Sequence, residues 1–246
     1  VDFERDGKQV DYLRLPHSSD LSAYGWIPIP LIVIKNGTGP TLLLTAGTHG
    51  DEYEGQIALI RLVQELAPER VNGRIIVAPA LNFPAVMAGR RVSPLDEGNL
   101  NRLFPGQAAG SPTQMIAHYV DSVLFPMADA VIDLHSGGRS LEYLPLALAH
   151  PGRTSEHAAR VRELIEAFDA PVSVLTDGSG GGGATTLYAC AAERGIPALT
   201  TELGGGATLS PEGLAVAETG LRRVLAHYGI VPGMAEIGPS GTRPMR

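Results

Sequence analysis

The stretch "TAGTHGDEYEGQIAL" places His49 and Glu52 three residues apart where an apolar run gives way to a helical pattern, so an imidazole and a carboxylate can converge from one side. A second histidine, His135, follows the apolar run "AVIDL", and a second glutamate, Glu202, closes the run "ALTTE". Ligands of open α/β sheets bind beyond the carboxyl ends of the strands, so these three strand ends are the first places to look for chemistry. Two ring nitrogens and one carboxylate, with a fourth position left to water, make a catalytic zinc set. His49, Glu52 and His135 are the candidate ligands. Taken singly, H-x-x-E also suits a helix cap, and His135 also suits a core histidine bonded to a backbone carbonyl. Glycines follow all three strand ends, and glycine lets backbone and ligand approach closely, which favours one shared site.

Between the ligand strands lies "AGRRVSPLDEGNLNRLFPG", a charge-dense loop without periodicity that carries Arg90, Arg91, Asn99, Asn101 and Arg102. It reads either as a solvated loop braced by its own hydrogen bonds or as a carboxylate-recognition surface, for which arginine offers a bidentate fork. The remaining histidines, His17, His118, His150, His157 and His227, sit in loop or amphipathic contexts that suit surface or satisfied side chains. Asp51 and Glu54 are expected at the first turn of the helix that follows, where negative charge suits the dipole. Asp133 is either a partner that orients a zinc ligand or a buried, backbone-bonded aspartate.

Positioning these residues requires a sheet. "WIPIPLIVIKNGTGPTLLLTAG" reads as two extended apolar runs joined by the turn signal "NGTGP", a hairpin or a tight strand connection. "EGQIALIRLVQELAP" then carries Ile57, Ile60, Leu62, Val63 and Leu66 at helical spacing and ends before Pro68. The alternation continues with strands in "GRIIVAPALN", "DAVIDLHSGG", "LEYLPLALAH", "VSVLTD" and "ALTTELGGG". The helices are "TQMIAHYVDSVLFPMA", "SEHAARVRELIEAFDA" with Ser155 as N-cap, and "PEGLAVAETGLRRVLAHYG". Apolar strands between amphipathic helices imply an α/β fold, a mixed and largely parallel sheet with helices on both faces. Asp177 to Ala184, "DGSGGGGA", reads as a short loop over a site. The tail "IGPSGTRPMR" reads as a frayed end or the start of a missing segment.

A chain of 246 residues, 44% hydrophobic, buries one substantial core. Its net charge of −7 and lack of a Lys/Arg run argue against a nucleic-acid partner. No apolar stretch reaches membrane-spanning length, and no apolar segment marks the N-terminus as a leader. A single cysteine, Cys190, fits a cytoplasmic address. The expected organisation is one catalytic domain over 1–246, with 1–24 an N-terminal edge strand or extension and 233–246 the start of a linker or of a missing C-terminal segment.

In this order, "THGDEYEG", "GNLNRLFPG", "DLHSGG" and "TELGGG" resemble the succinylglutamate desuccinylase/aspartoacylase family of the zinc carboxypeptidase superfamily, over about Gly7 to Tyr228. The likeness is nearest to the bacterial branch that deacetylates N-acetyl-diaminobutyrate. It implies one zinc ion on His49, Glu52 and His135, with Glu202 as general base. It implies that Arg91 polarises the scissile carbonyl, with Arg90 as competitor, and that Asn101 and Arg102 hold the substrate carboxylate. The implied activity is zinc-dependent hydrolysis of a small N-acyl amino acid, N-acetyl-diaminobutyrate foremost, and a homodimer is compatible with it. The alternatives are a metallocarboxypeptidase acting on peptides and a non-catalytic zinc- or carboxylate-binding module. The family's smaller C-terminal β domain is not apparent over 1–246: either this is a piece of a longer protein or this member lacks the lid, and only the second would loosen substrate selection.

Overall fold

A computed structural model describes residues 1–177, 183–236 and 238–245. Its strands are Gly7–Pro16 (β1), Trp26–Asn36 (β2), Thr41–Ala46 (β3), Gly73–Ala78 (β4), Ala130–Leu134 (β5), Leu146–Ala149 (β6), Val172–Leu175 (β7), Ala198–Glu202 (β8) and Arg243–Met245 (β9). They form one sheet in the order β1-β2-β4-β3-β5-β8-β6-β7-β9. The block β4-β3-β5-β8 is parallel throughout, whereas β1, β2 and β6 join through antiparallel pairings. The helices are Glu54–Glu65 (α1), Phe83–Ala88 (α2), Pro112–Tyr119 (α3), Ser155–Phe168 (α4), Leu187–Glu193 (α5) and Pro211–His227 (α6).

Strand β3 shows why the sheet must be covered twice. Leu42, Leu43 and Leu44 are all fully buried, and successive side chains of a strand point to opposite faces. Leu42 and Leu44 pack with α1, α4 and α6 on one face, while Leu43 packs with α3 and α5 on the other. Each such leucine contributes roughly 1.5–3 kcal/mol of burial. The expected mixed, largely parallel sheet with helices on both faces is therefore the observed one.

Several local readings are corrected. The "NGTGP" segment is a tight connection and not a hairpin, because β4 inserts between β2 and β3 and pairs with both. On α1 the buried face comprises Ala58, Leu59 and Leu62, and Ile60 points outward. The third helix stops at Tyr119, passes through a π turn to Leu124 and ends in a 3-10 turn at Phe125–Met127, where Pro126 lacks the N–H that would continue it. Helix α4 is capped by Thr154, whose hydroxyl accepts from His157 N at 3.1 Å, so Ser155 is its first residue and not its cap. The tail does not simply fray: β9 adds to β7 in parallel. Of the glycine-rich stretch expected to form a loop over the site, 178–182 lie outside the described residues.

Candidate metal centre and cleft

The turn after β3 carries His49 and Glu52 because the chain can pass very close to α2. Gly50 N donates to Arg90 O at 2.8 Å, and a Cβ on Gly50 would lie 1.9 Å from Ala85 O. Glycine also admits close neighbours after the other strand ends: a Cβ on Gly137, which lines the cleft, would meet Leu141 O at 2.2 Å, and one on Gly204 would meet Ser210 Cβ at 2.8 Å. His135 follows β5, where its backbone exchanges two hydrogen bonds with the Thr201 hydroxyl, at 3.1 and 3.2 Å. Thr201 directly precedes Glu202 on β8, so the second histidine and the second glutamate are fixed relative to each other.

His49, Glu52 and His135 are all buried and offer three ligand atoms within 4.8 Å of one another. Their hydrogen bonds assign the ring tautomers. His49 Nε2 faces Asn99 Oδ1 at 3.0 Å, and His135 Nε2 faces Asp133 Oδ2 at 2.7 Å. Asn99 Oδ1 also accepts from Asn101 N at 3.1 Å, which fixes that amide's orientation. Both partners accept, so both Nε2 atoms carry hydrogens, and in the neutral form of either ring Nδ1 is the acceptor. Those Nδ1 atoms lie 2.7 and 2.8 Å from the two carboxylate oxygens of Glu52. Acceptors facing acceptors at this distance need a positive charge among them, a proton or a cation.

The charges respond accordingly. Burial opposes ionisation of Glu52, yet the imidazoles, His135 foremost, hold its carboxyl down at about 2. Burial likewise opposes charge on His135, but Asp133 and Glu52 hold its imidazolium form well above the ordinary histidine range. Asp133 is thus the partner that orients a candidate ligand, and it also accepts from Thr45 and Thr48 hydroxyls at 2.7 and 3.2 Å. Asp51 and Glu54 do more than serve the dipole of α1. Asp51 accepts from Arg139 N at 3.1 Å beyond His135, and Glu54 accepts from Ser210 N at 2.8 Å at the start of α6.

A cleft of about 410 Å³ opens beside the three candidate ligands and is also lined by Arg91, Asn101, Arg102, Tyr143, Tyr188 and Glu202. Arg91 Nη1 lies 3.3 Å from His49 Nδ1 and 3.5 Å from Glu52 Oε1. Arg90 turns away and pairs with Glu97 at 2.9 Å. Asn101 spends its side-chain oxygen on Leu187 N at 2.9 Å, the start of α5, so only its amide N–H groups can serve the cleft. Arg102 donates to Asn101 O at 2.7 Å, and burial together with the nearby Arg91 lowers its pKa. Glu202 Oε2 is buried without a hydrogen-bond partner among the described residues. Burial, opposed by His135, pushes the Glu202 carboxyl up to about 7. Tyr143 and Tyr188 lie in none of the four motifs, and the contact of Asn99 with His49 was not expected from sequence.

The chain is thus an α/β protein with a mixed, largely parallel sheet and a buried His49–Glu52–His135 cluster at its strand ends. The fold is shared with a metallo-carboxypeptidase from Burkholderia cenocepacia, with a TM-score of 0.69 at 18% identity over 90% of this chain and 65% of that one. The family model for the succinylglutamate desuccinylase/aspartoacylase catalytic domain matches residues 38–228, and the chain belongs to that family. It is 49% identical over 238 residues to an N-alpha-acetyl-L-2,4-diaminobutyric acid deacetylase of Halomonas elongata, covering 96% of this chain and 69% of that protein. It also superposes on a product-bound structure of the ectoine utilization protein EutE (DoeB) from Ruegeria pomeroyi, with a TM-score of 0.92 and 46% identity over 100% of this chain and 74% of that one. The family expected from the four motifs is therefore the family found. Among the described residues no helix is long and apolar enough to cross a membrane.

Proposed function

We propose that this chain hydrolyses the amide bond of a small N-acyl amino acid, with N-acetyl-diaminobutyrate the favoured substrate, and that the reaction depends on one zinc ion. The observation that carries the reading is the meeting, in one cleft, of the buried His49–Glu52–His135 set with Glu202, whose Oε2 is buried without a hydrogen-bond partner among the described residues. The relative at 49% identity, whose name specifies a deacetylase of that substrate, supports the choice of acyl amino acid.

His49, Glu52 and His135 would hold the ion: the set is mixed nitrogen and oxygen, and its tautomers direct both acceptor nitrogens inward. When bound, zinc acidifies water from a pKa of about 15.7 to roughly 7 and polarises carbonyl oxygen. Glu202 would take the proton of the attacking water and return it to the departing amine, so that water adds to the acyl carbon, the C–N bond breaks and the amine leaves neutral. A carboxyl with a pKa of about 7 suits both halves of that task, which together contribute on the order of 10²–10⁴-fold. Arg91 would stabilise charge on the carbonyl oxygen. Arg102 and the Asn101 amide would grip the substrate carboxylate and hold the acyl carbon in line for attack.

The test is amine release by the purified protein from N-acetyl-diaminobutyrate, N-acetylaspartate, N-succinylglutamate and a short peptide, with metal content and a chelator control. Chelator-sensitive cleavage of N-acetyl-diaminobutyrate is the expected result. Preference for the peptide would turn the reading to a carboxypeptidase, and stoichiometric zinc without any turnover would turn it to a binding module.

A further inference from the structure

Tyr143 lines the same cleft as His49, Glu52, Arg91 and Glu202 although no motif contains it. Its position is fixed by backbone. Tyr143 N donates to Gly204 O at 3.1 Å, Gly206 N donates to Leu141 O at 3.1 Å, and Glu142 bridges to Gly205. Gly137 N donates to the same Gly204 O at 2.9 Å. The segment after His135, the segment carrying Tyr143 and the turn after Glu202 are thereby knotted together. Only glycine fits the knot at 205, where a Cβ would stand 2.0 Å from Leu141 O. The backbone of Tyr143 is therefore tied to the turn that follows the Glu202 strand end.

The phenol also feels the site's charges. Burial raises its pKa, Glu202 raises it further, Arg91 opposes and Glu52 adds, so the hydroxyl stays neutral and keeps a hydrogen to donate. In a cleft where ionised Glu202 accepts the proton of the nucleophile, a donor beside Arg91 serves the atom that gains negative charge.

We infer that the Tyr143 hydroxyl donates a hydrogen bond to the acyl carbonyl oxygen of the substrate, beside Arg91, and strengthens as charge builds there. This rests on the amide-hydrolysis reading above. Donors placed where charge develops act mainly in the transition state and change kcat more than KM.

Tyr143→Phe keeps the ring and removes the donor. With N-acetyl-diaminobutyrate, kcat and kcat/KM should fall together by about 10²-fold, while KM, zinc content and thermal melting stay at parental values. Affinity for the methylphosphonamidate analogue of that substrate should fall by the same factor, and affinity for the product diaminobutyrate should not change. A variant with kcat within about threefold of the parent, a loss confined to KM, or a loss accompanied by zinc release would overturn the assignment. A parent protein that cleaves no N-acyl amino acid sinks the amide-hydrolysis reading and this inference with it. An active parent with an equally active variant sinks Tyr143 alone.

Discussion

Asp133 closes on the outer nitrogen of His135 at 2.7 Å, two residues along the same strand end, and so decides which nitrogen the ring turns toward Glu52. Asp133→Asn can still meet the ring, but as a neutral partner that may turn either its oxygen or its NH2 toward Nε2. Zinc affinity measured by chelator competition should drop by about 10–100-fold. Parental affinity would show that the aspartate serves only the core.

Replacing Glu202 separates binding from chemistry. Glu202→Ala should keep zinc and fold while kcat falls by on the order of 10²–10⁴-fold, because only the proton acceptor is removed. Near-parental turnover in steady-state assays would exclude Glu202 as the base.

The same carboxyl sets a pH signature. Its folded pKa of about 7 stands above the ordinary glutamate value of 4.5, so the folded state binds the extra proton. A raised pKa gives stability that is complete below 4.5 and is lost as pH rises through about 7. In metal-free protein Glu202→Gln should therefore be the more stable form at pH 8, by up to on the order of 3 kcal/mol, and the advantage should shrink toward pH 4.5. Urea unfolding at the two pH values reads this out. Activity runs the opposite way: kcat/KM should decline at acid pH as the base becomes protonated, and with the cation bound that decline should fall below pH 7, because a nearby positive charge favours the carboxylate.

Arg102 lines the cleft without touching the three candidate ligands. Arg102→Ala should raise KM and lower kcat together, by about 10²-fold in kcat/KM, with zinc content unchanged. Metal loss in atomic absorption measurements would mark the residue as structural.

Gly50 has no room for a side chain, since a Cβ would meet Ala85 O at 1.9 Å. Gly50→Ala should push the His49 turn off α2, costing roughly 2–4 kcal/mol in chemical denaturation and weakening zinc binding as well. Full stability would mean that the turn relaxes at little cost.

His49, Glu52, His135 and Glu202 were legible in sequence because each ends an apolar run, and apolar runs reveal strands. The sheet's alternating coverage was legible for the same reason. What joins these residues was not. Asn99 meets His49 across fifty residues, and no periodicity encodes such a contact. Helix α5 escaped because "LYACAA" is buried on every side and shows no amphipathic stripe, and α2 because it spans only six residues. The glycines marked places of close approach, but which neighbour comes close, Ala85 at Gly50 and Leu141 at Gly137, was not legible. Tyr143 had no signal at all: its place follows from backbone hydrogen bonds to a turn some sixty residues away.

The strand order has a consequence for how the molecule holds together. Strands β6 and β7 precede β8 along the chain, yet β6 reaches the rest of the sheet only through β8, which lies between it and β5. β8 is therefore the seam of the sheet, parallel to β5 on one side and antiparallel to β6 on the other. That strand is also the one that ends in Glu202. One strand thus joins two parts of the sheet, holds the His135 backbone through Thr201 and ends in Glu202, so a change that loosens β8 should reach the sheet and the cleft together.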